Sequence, residues 1–408
     1  MSGPGVLRVA RAILGRVPEP RVATFSRFAE IDEGIAIYFP APHSYTGEPV
    51  LELQGHGGLV VMQALLGACL DVGARLAEPG EFTRRAFLEG RLDLAQAEAV
   101  ADLIDATTRE AARSALRSLS GEFSAAISDL VGQLVDVRAL IEAMLDFPEE
   151  EVDPLHAKDA AARLARVRAA VDDVLAKSRQ GSLLRSGVHV VLAGRPNVGK
   201  SSLLNRLAGD ERAIVAALPG TTRDALREPV QIEGVPMILV DTAGLRRDAD
   251  EVERLGIERT RRELERADVV LAVHEAGNSA SLGEPLPAGV RRVDVYNKID
   301  LAPGFKPPSS GVTVSAKTGE GLNHLRRAIL EAAGWSVTGE SVFLARERHL
   351  RALEAASAHL AAAATELPRW ELFAEELRLA QVALSAITGE YRADDLLGQI
   401  FSRFCIGK

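Results

Sequence analysis

Five short strings between residues 194 and 317 carry side chains suited to a nucleoside triphosphate. They are GRPNVGKS at 194–201, PGTTRD at 219–224, DTAG at 241–244, NKID at 297–300 and SAK at 315–317. In the first string, glycines let backbone N–H groups close around phosphates, and a helix N-terminus adds its positive end. Lys200 is placed to reach the β- and γ-phosphates, and Ser201 to bind Mg²⁺. Thr222 lies where a segment folds over the γ-phosphate and completes the Mg²⁺ shell. Asp241 is expected to hold Mg²⁺ through water, and Gly244 to offer its N–H to the γ-phosphate. In NKID, Asp300 can accept both the N–H and the NH₂ of guanine, while Asn297 bonds the base edge. Adenine lacks that donor pair, so the string selects GTP over ATP. Ser315 and Ala316 approach the base from the next loop. Together, in this order, the strings describe a GTPase segment.

Leu245 follows DTAG, where many small GTPases carry a glutamine that orients the attacking water. Leucine has no polar group, so hydrolysis must be organised differently. Asn197 could help hold a monovalent cation where an arginine finger would place charge. Glu253 could orient the water; spacing alone favours a solvated helix carboxylate there. Val273-His274-Glu275 stands where an aspartate commonly follows the strand, with little expected effect on nucleotide binding.

The elements that must position these groups follow from hydrophobic pattern. The run 188–193 predicts a strand entering Gly194, and Leu203, Leu204 and Leu207 predict the inner face of a helix from Lys200. Met237 to Val240 predicts the strand that ends at Asp241. Residues 277–289 and 302–311, rich in Gly, Pro and Ser, predict surface loops. Residues 1–90 look mixed α/β, with strands at 34–39 and 49–53 and a glycine turn, QGHGG, at 54–58. His56 in that turn fits a turn residue better than a catalytic one. The uncharged run Gly57 to Leu70 predicts a buried helix, too short to span a bilayer at ~20 residues. Beyond Arg91, apolar residues from Leu116 to Leu145 recur at steps of three or four and predict one helix of about eight turns. Leu164, Val167, Val171 and Val174 predict a second helix, and helical texture resumes at Phe343.

Net charge is −9 over 408 residues, which excludes a polycationic nucleic-acid binder. The cluster Arg84, Arg85 and Arg91 fits a solvated helix face. Two cysteines, Cys69 and Cys405, fit a reducing compartment and offer no metal-ligand spacing. No signal peptide is visible, so a cytoplasmic location and no membrane contact are expected. Cys405, in the terminal CIGK, is either a mobile thiol able to reach another site or an incidental one.

The chain resembles the MnmE (TrmE) family of tRNA modification GTPases over nearly its whole length. The strings that carry the resemblance include FPAPHSYTGEPVLELQGHGG at 39–58, PGEFTRRAFLEGRLDLAQAEAVADLIDA at 79–106, RQGSLLRSG at 179–187, AEELRLAQ at 374–381 and TGEYRADDLLGQIFSRFCIGK at 388–408, besides the GTPase strings. The resemblance implies an α/β and α multidomain chain. Residues 1–90 would be an α/β tetrahydrofolate-binding and dimerisation domain, 91–187 and 335–408 two parts of a helical domain, and 188–334 an inserted Ras-like P-loop GTPase domain. It implies a homodimer that works with the flavoprotein MnmG (GidA), which brings FAD, in a heterotetrameric complex. Together they would add an aminomethyl or carboxymethylaminomethyl group at the 5-position of the wobble uridine of certain tRNAs. The one-carbon unit would come from 5-formyl- or 5,10-methylene-tetrahydrofolate.

Carried over, the GTP-contacting set is Asn197, Val198, Gly199, Lys200, Ser201, Ser202, Ala216, Ala217, Leu218, Pro219, Gly220, Thr221, Thr222, Asp241, Thr242, Ala243, Gly244, Asn297, Lys298, Asp300, Ser315, Ala316 and Lys317. Ser201 and Thr222 become Mg²⁺ ligands; Asn197, Ala216, Leu218 and Thr221 become K⁺ ligands. Glu253 becomes the hydrolytic carboxylate, which reverses the preference from spacing. Glu52, Arg91 and Lys408 match folate-contacting positions, and Cys405 a functionally required cysteine. The family pattern places a strand, a glycine-rich segment and a folate-contacting arginine before the SGP found here at residues 2–4, so a weakened folate site is expected. A GTPase that assembles ribosomes is the alternative; the helices and CIGK that follow the GTPase strings, instead of an RNA-binding domain, argue against it.

Overall fold

The computed structural model describes residues 1–146, 154–209, 227–242, 260–278, 287, 289–308, 311–336, 342–367 and 369–389. It divides into two compact units, one of residues 1–101, 119–132 and 381–408, the other of 102–118 and 133–380.

In the first unit, helix α1 (Val6–Leu14) buries Val6, Val9, Ala10 and Ile13, a spacing that lines one helical face, and stops at Gly15 in the left-handed region. Strands β1 (Thr24–Phe28), β2 (Asp32–Phe39) and β3 (Val50–Gln54) form an antiparallel sheet in that order. Its inner face packs Phe28, Ala36 and Leu51 with α1, Leu65 and Cys69. The expected apolar helix is α2 (Leu59–Asp71), but it is not buried along its length. Its buried residues are Leu65 and Cys69, whereas Leu59 and Val60 are 74% and 77% exposed. Helix α3 spans Glu81–Leu88, and α4 (Leu94–Asp105) starts from a reciprocal cap. There Asp93 Oδ1 accepts from the Gln96 N–H at 2.8 Å and Gln96 Oε1 from the Asp93 N–H at 3.1 Å.

The long stripe after Arg91 belongs to two helices, α5 (Arg109–Leu119) and α6 (Glu122–Asp146). Gly121 has φ +92°, which no helix can carry forward, so the chain turns although the three-four spacing continues through it. Phe123, Ile127, Leu130, Leu134, Val137 and Ile141 are buried as that spacing requires, and Leu116 is exposed.

The second unit holds a six-stranded sheet, ordered β5 (Arg227–Ile232), β6 (Val235–Asp241), β4 (Val188–Ala193), β7 (Val269–Glu275), β8 (Arg291–Asn297) and β9 (Val312–Thr313). Only β5 runs antiparallel to its neighbour. The central strands are apolar without alternation, as expected of a sheet covered on both faces. Helix α8 (Lys200–Gly209) follows β4, and α9 (Leu322–Ala333) packs against β7, β8 and β9.

Beside the sheet, α7 (Pro154–Ser186) packs along α10 (Glu347–Glu366). The helix Trp370–Thr388, α11, follows and buries Phe373, Leu377, Leu384 and Ile387. Chain entry into the sheet and exit from it are tied side by side. Gln180 donates to the Gly334 carbonyl at 2.6 Å and accepts the Ser336 N–H at 3.0 Å. Buried Asp102 accepts from Arg185 Nε at 2.9 Å and Arg346 Nη2 at 2.8 Å. Gly181 allows this closure, because a Cβ there would lie 1.7 Å from the Phe343 carbonyl oxygen. Among the described residues no helix is long and apolar enough to cross a membrane.

Candidate guanine-nucleotide site

Strand β4 delivers the chain to Gly194, and the loop 194–199 turns it into α8. Three residues of the loop have positive φ: Gly194 at +158°, Asn197 at +65° and Gly199 at +92°. Gly199 has no room for a side chain, since a Cβ would stand 2.3 Å from Asn297 Nδ2. Lys200 is 4% exposed, and its ammonium donates to the carbonyls of Gly194 and Arg195, both at 2.8 Å. The loop therefore curls around a buried cation, the arrangement an oligophosphate needs. Ser201 Oγ donates to Asp241 Oδ2 at 2.5 Å. These two oxygen donors from α8 and the end of β6 form a hard pair that suits Mg²⁺. Thr242 anchors the end of β6 by donating to the Leu192 carbonyl at 2.8 Å.

The base side is built at the ends of β8 and β9. Asn297, 2% exposed, donates to the Val198 carbonyl at 2.9 Å and accepts the Ala316 N–H at 3.0 Å. One amide thus couples the phosphate loop to the SAK loop. Ser315 is fully buried, and its hydroxyl donates to Asp300 Oδ1 at 2.7 Å while accepting the Thr318 N–H at 3.1 Å. That bond aims the Asp300 carboxylate. Lys298 sits in the left-handed region at φ +67°, with Nζ on Glu275 Oε1 at 2.8 Å. Glu275 is a partner that motif matching misses. The usable signal is register, since Glu275 at the end of β7 pairs with Asn297 on β8.

Asn197, Val198, Gly199, Lys200, Ser201, Ser202, Asp241, Thr242, Asn297, Lys298, Asp300, Ser315, Ala316 and Lys317 all lie on these adjoining loops and helix starts. Ala216 to Thr222, Ala243, Gly244, Leu245, Glu253, Cys405 and Lys408 lie outside the described residues. No group of three or more His, Cys, Asp or Glu able to hold a metal occurs among the described residues.

In the first unit, Glu52 lines a cavity of about 400 Å³ with Leu51, Leu53, Met62 and Cys69. A carboxylate against apolar walls suits the N–H edge of a heterocycle. Arg91 is not among the lining residues; its side chain lies against Gly47. Arg85 does not belong to a free basic face, because Glu48 and Glu81 hold it at 2.9 and 2.6 Å. His56 stays in its turn: Asp32 accepts its N–H at 2.8 Å and pairs with its Nδ1 at 2.8 Å, and that pairing raises the imidazole pKa.

The family model described as "GTP-binding protein TrmE N-terminus" matches residues 1–91, and that described as "MnmE helical domain" matches 94–405. The tRNA modification GTPase MnmE of Azoarcus sp. is 60% identical over all of this chain and 94% of its own length. That of Thiobacillus denitrificans is 59% identical over the same shares, 100% and 94%. Among solved structures, the G domain of T. maritima FeoB is 28% identical, covering 36% of this chain and 98% of its own, with a TM-score of 0.26.

Proposed function

From the premise that the chain belongs to the MnmE family of tRNA modification GTPases and hydrolyses GTP, we propose that potassium activates this hydrolysis and that it serves wobble-uridine modification. The 5-position of the uridine receives an aminomethyl or carboxymethylaminomethyl group, with MnmG as flavoprotein partner and a tetrahydrofolate as one-carbon donor. Residues 188–334 carry the GTPase, and residues 1–90 carry folate binding and the homodimer contact. Lys200 takes the β- and γ-phosphates, and the loop N–H groups share their charge. Asp300, aimed by Ser315, accepts the guanine N–H pair. Ser201, with Asp241 through water, would hold Mg²⁺, and the ion would supply positive charge to offset that on the phosphoryl oxygens.

The observation that carries the potassium reading is Asn197. It stands exposed at the turn of the phosphate loop in the left-handed region, and its amide makes no hydrogen bond among the described residues. Its oxygen is a hard donor available to an alkali cation, and Leu245 supplies no polar group to assist the water. Turnover in potassium should exceed that in sodium at equal ionic strength by about tenfold or more, which is ~1.4 kcal/mol of transition-state stabilisation. Equal rates would end the cation role. The tRNA role has its own test: nucleoside analysis of tRNA from cells lacking this chain should show the C5 group missing from wobble uridine, and an unchanged profile would refute it.

For folate, Glu52 offers the pterin edge an acceptor from an apolar cavity. The donor's glutamate tail requires cations, and Arg91 and Lys408 are the residues assigned to it by resemblance.

A further inference from the structure

A second cavity of about 430 Å³ lies in the first unit, between the start of α1 and the segment 73–85. Its walls include Val6, Val9, Leu66, Leu76 and Phe82. Leu76 is 60% exposed, so apolar surface faces water at the mouth. The volume falls in the range of small-molecule pockets, ~300–1,000 Å³. Met1 and Leu66 border both cavities, so the two adjoin, but Glu52, the residue assigned to folate, lines only the other.

Charge at its rim is unbalanced. Arg8, Arg75 and Arg85 face Glu81. Arg75 and Arg85 both bond Glu81, at 2.8 and 2.6 Å, and Arg85 also bonds Glu48 at 2.9 Å. The Arg75 hydrogen bond leads in holding the Glu81 carboxyl down to about 2, so that carboxylate is charged and already shared. The Arg8 backbone N–H donates to the Gly5 carbonyl at 3.0 Å, but its guanidinium makes no hydrogen bond or ion pair among the described residues. Its guanidinium lies beside Gly73, where a Cβ would come within 2.6 Å of Nη2. Gly73 has φ +95°, so two features of that position keep it open for the arginine. A cavity with apolar walls and one uncommitted planar cation at its rim is complementary to an amphiphile with one negative end.

We propose that this cavity binds a small organic anion, an apolar or aromatic body carrying a single carboxylate or sulfonate. The body lies against Leu66, Leu76 and Phe82, and the anionic group takes the fork of Arg8. This assignment is independent of the folate reading.

Two fluorescent probes of nearly one shape test it on the full chain: 8-anilinonaphthalene-1-sulfonate and its neutral analogue N-phenyl-1-naphthylamine. The sulfonate should bind the wild type more tightly than the neutral dye. Arg8→Ala should weaken the sulfonate by about tenfold, the scale of one charge-assisted contact, and leave the neutral dye unchanged. Arg8→Lys should restore much of the loss. Leu76→Asp should weaken both dyes, while Glu52→Gln should alter neither. GTP turnover and melting temperature of Arg8→Ala should equal those of the wild type. Unchanged sulfonate affinity in Arg8→Ala would overturn the proposal by placing the dye elsewhere, such as on exposed Leu59 and Val60. Loss of sulfonate binding in Glu52→Gln would overturn it by merging this cavity with the folate pocket.

Discussion

Asp300→Asn should lower GTP affinity by about 10²–10³-fold, because the bond to guanine N1–H loses its charge, the bond to NH₂ is lost and an amide N–H then faces that donor, ~3–4 kcal/mol in all. Xanthosine nucleotides should gain. Xanthine presents N1–H and a carbonyl at C2, which match the asparagine oxygen and NH₂. Ser315 makes this a clean exchange: its hydroxyl donates to Asp300 Oδ1 at 2.7 Å and can donate equally to an asparagine oxygen, so the side chain keeps its aim. Titration with fluorescent GDP and XDP reads both changes. A variant that still binds GDP within about threefold of wild type would show that Asp300 does not face the base.

Glu253→Ala should leave nucleotide affinity near wild type and cut turnover by about 10²-fold or more, the scale of a lost catalytic carboxylate. The separation follows from where contacts lie. In the proposed site the phosphate and guanine contacts come from Lys200, Asn297, Asp300 and the loop between Gly194 and Gly199, whose hydrogen bonds among the described residues involve groups other than Glu253. Leu245 leaves the attacking water without a side-chain acceptor at the usual position, and the proposed role of Glu253 is to supply one. Single-turnover hydrolysis beside equilibrium binding separates the two quantities. Normal hydrolysis in the variant would return Glu253 to the solvated helix carboxylate that spacing favours.

Much of the nucleotide site is legible in the chain because its parts are local. The strand 188–193 is an unbroken apolar run, the loop after it is marked by glycines, and α8 begins at the lysine that needs it. Other features depend on groups far apart in sequence. Asp102 meets Arg346 across 244 residues, and no local pattern marks either as a partner. Lys298 and Glu275 meet because two strands end together. The break between α5 and α6 is hidden for a different reason: the apolar spacing runs on through Gly121, and only its φ shows that the helix cannot. In α2 the composition is apolar all round, which marks a helix without saying which face has a partner.

The tied entry and exit at Gln180, Gly181 and Asp102 bear on how the chain comes off the ribosome. Helix α7 is complete at Ser186, but its partner α10 begins at Glu347. At typical translation speeds the intervening roughly 160 residues take about 8–30 s to emerge. Throughout that interval α7, whose Leu164, Val167 and Val171 are buried in the finished fold, has no α10 to pack along it. The sheet strands, synthesised in between, must pair while that helix waits. Closure then comes from late-made residues, Gly334, Phe343 and Arg346, which lock onto groups made much earlier. The stripe of α7 is thus one place where a nascent-chain chaperone has a prolonged opportunity to hold this polypeptide.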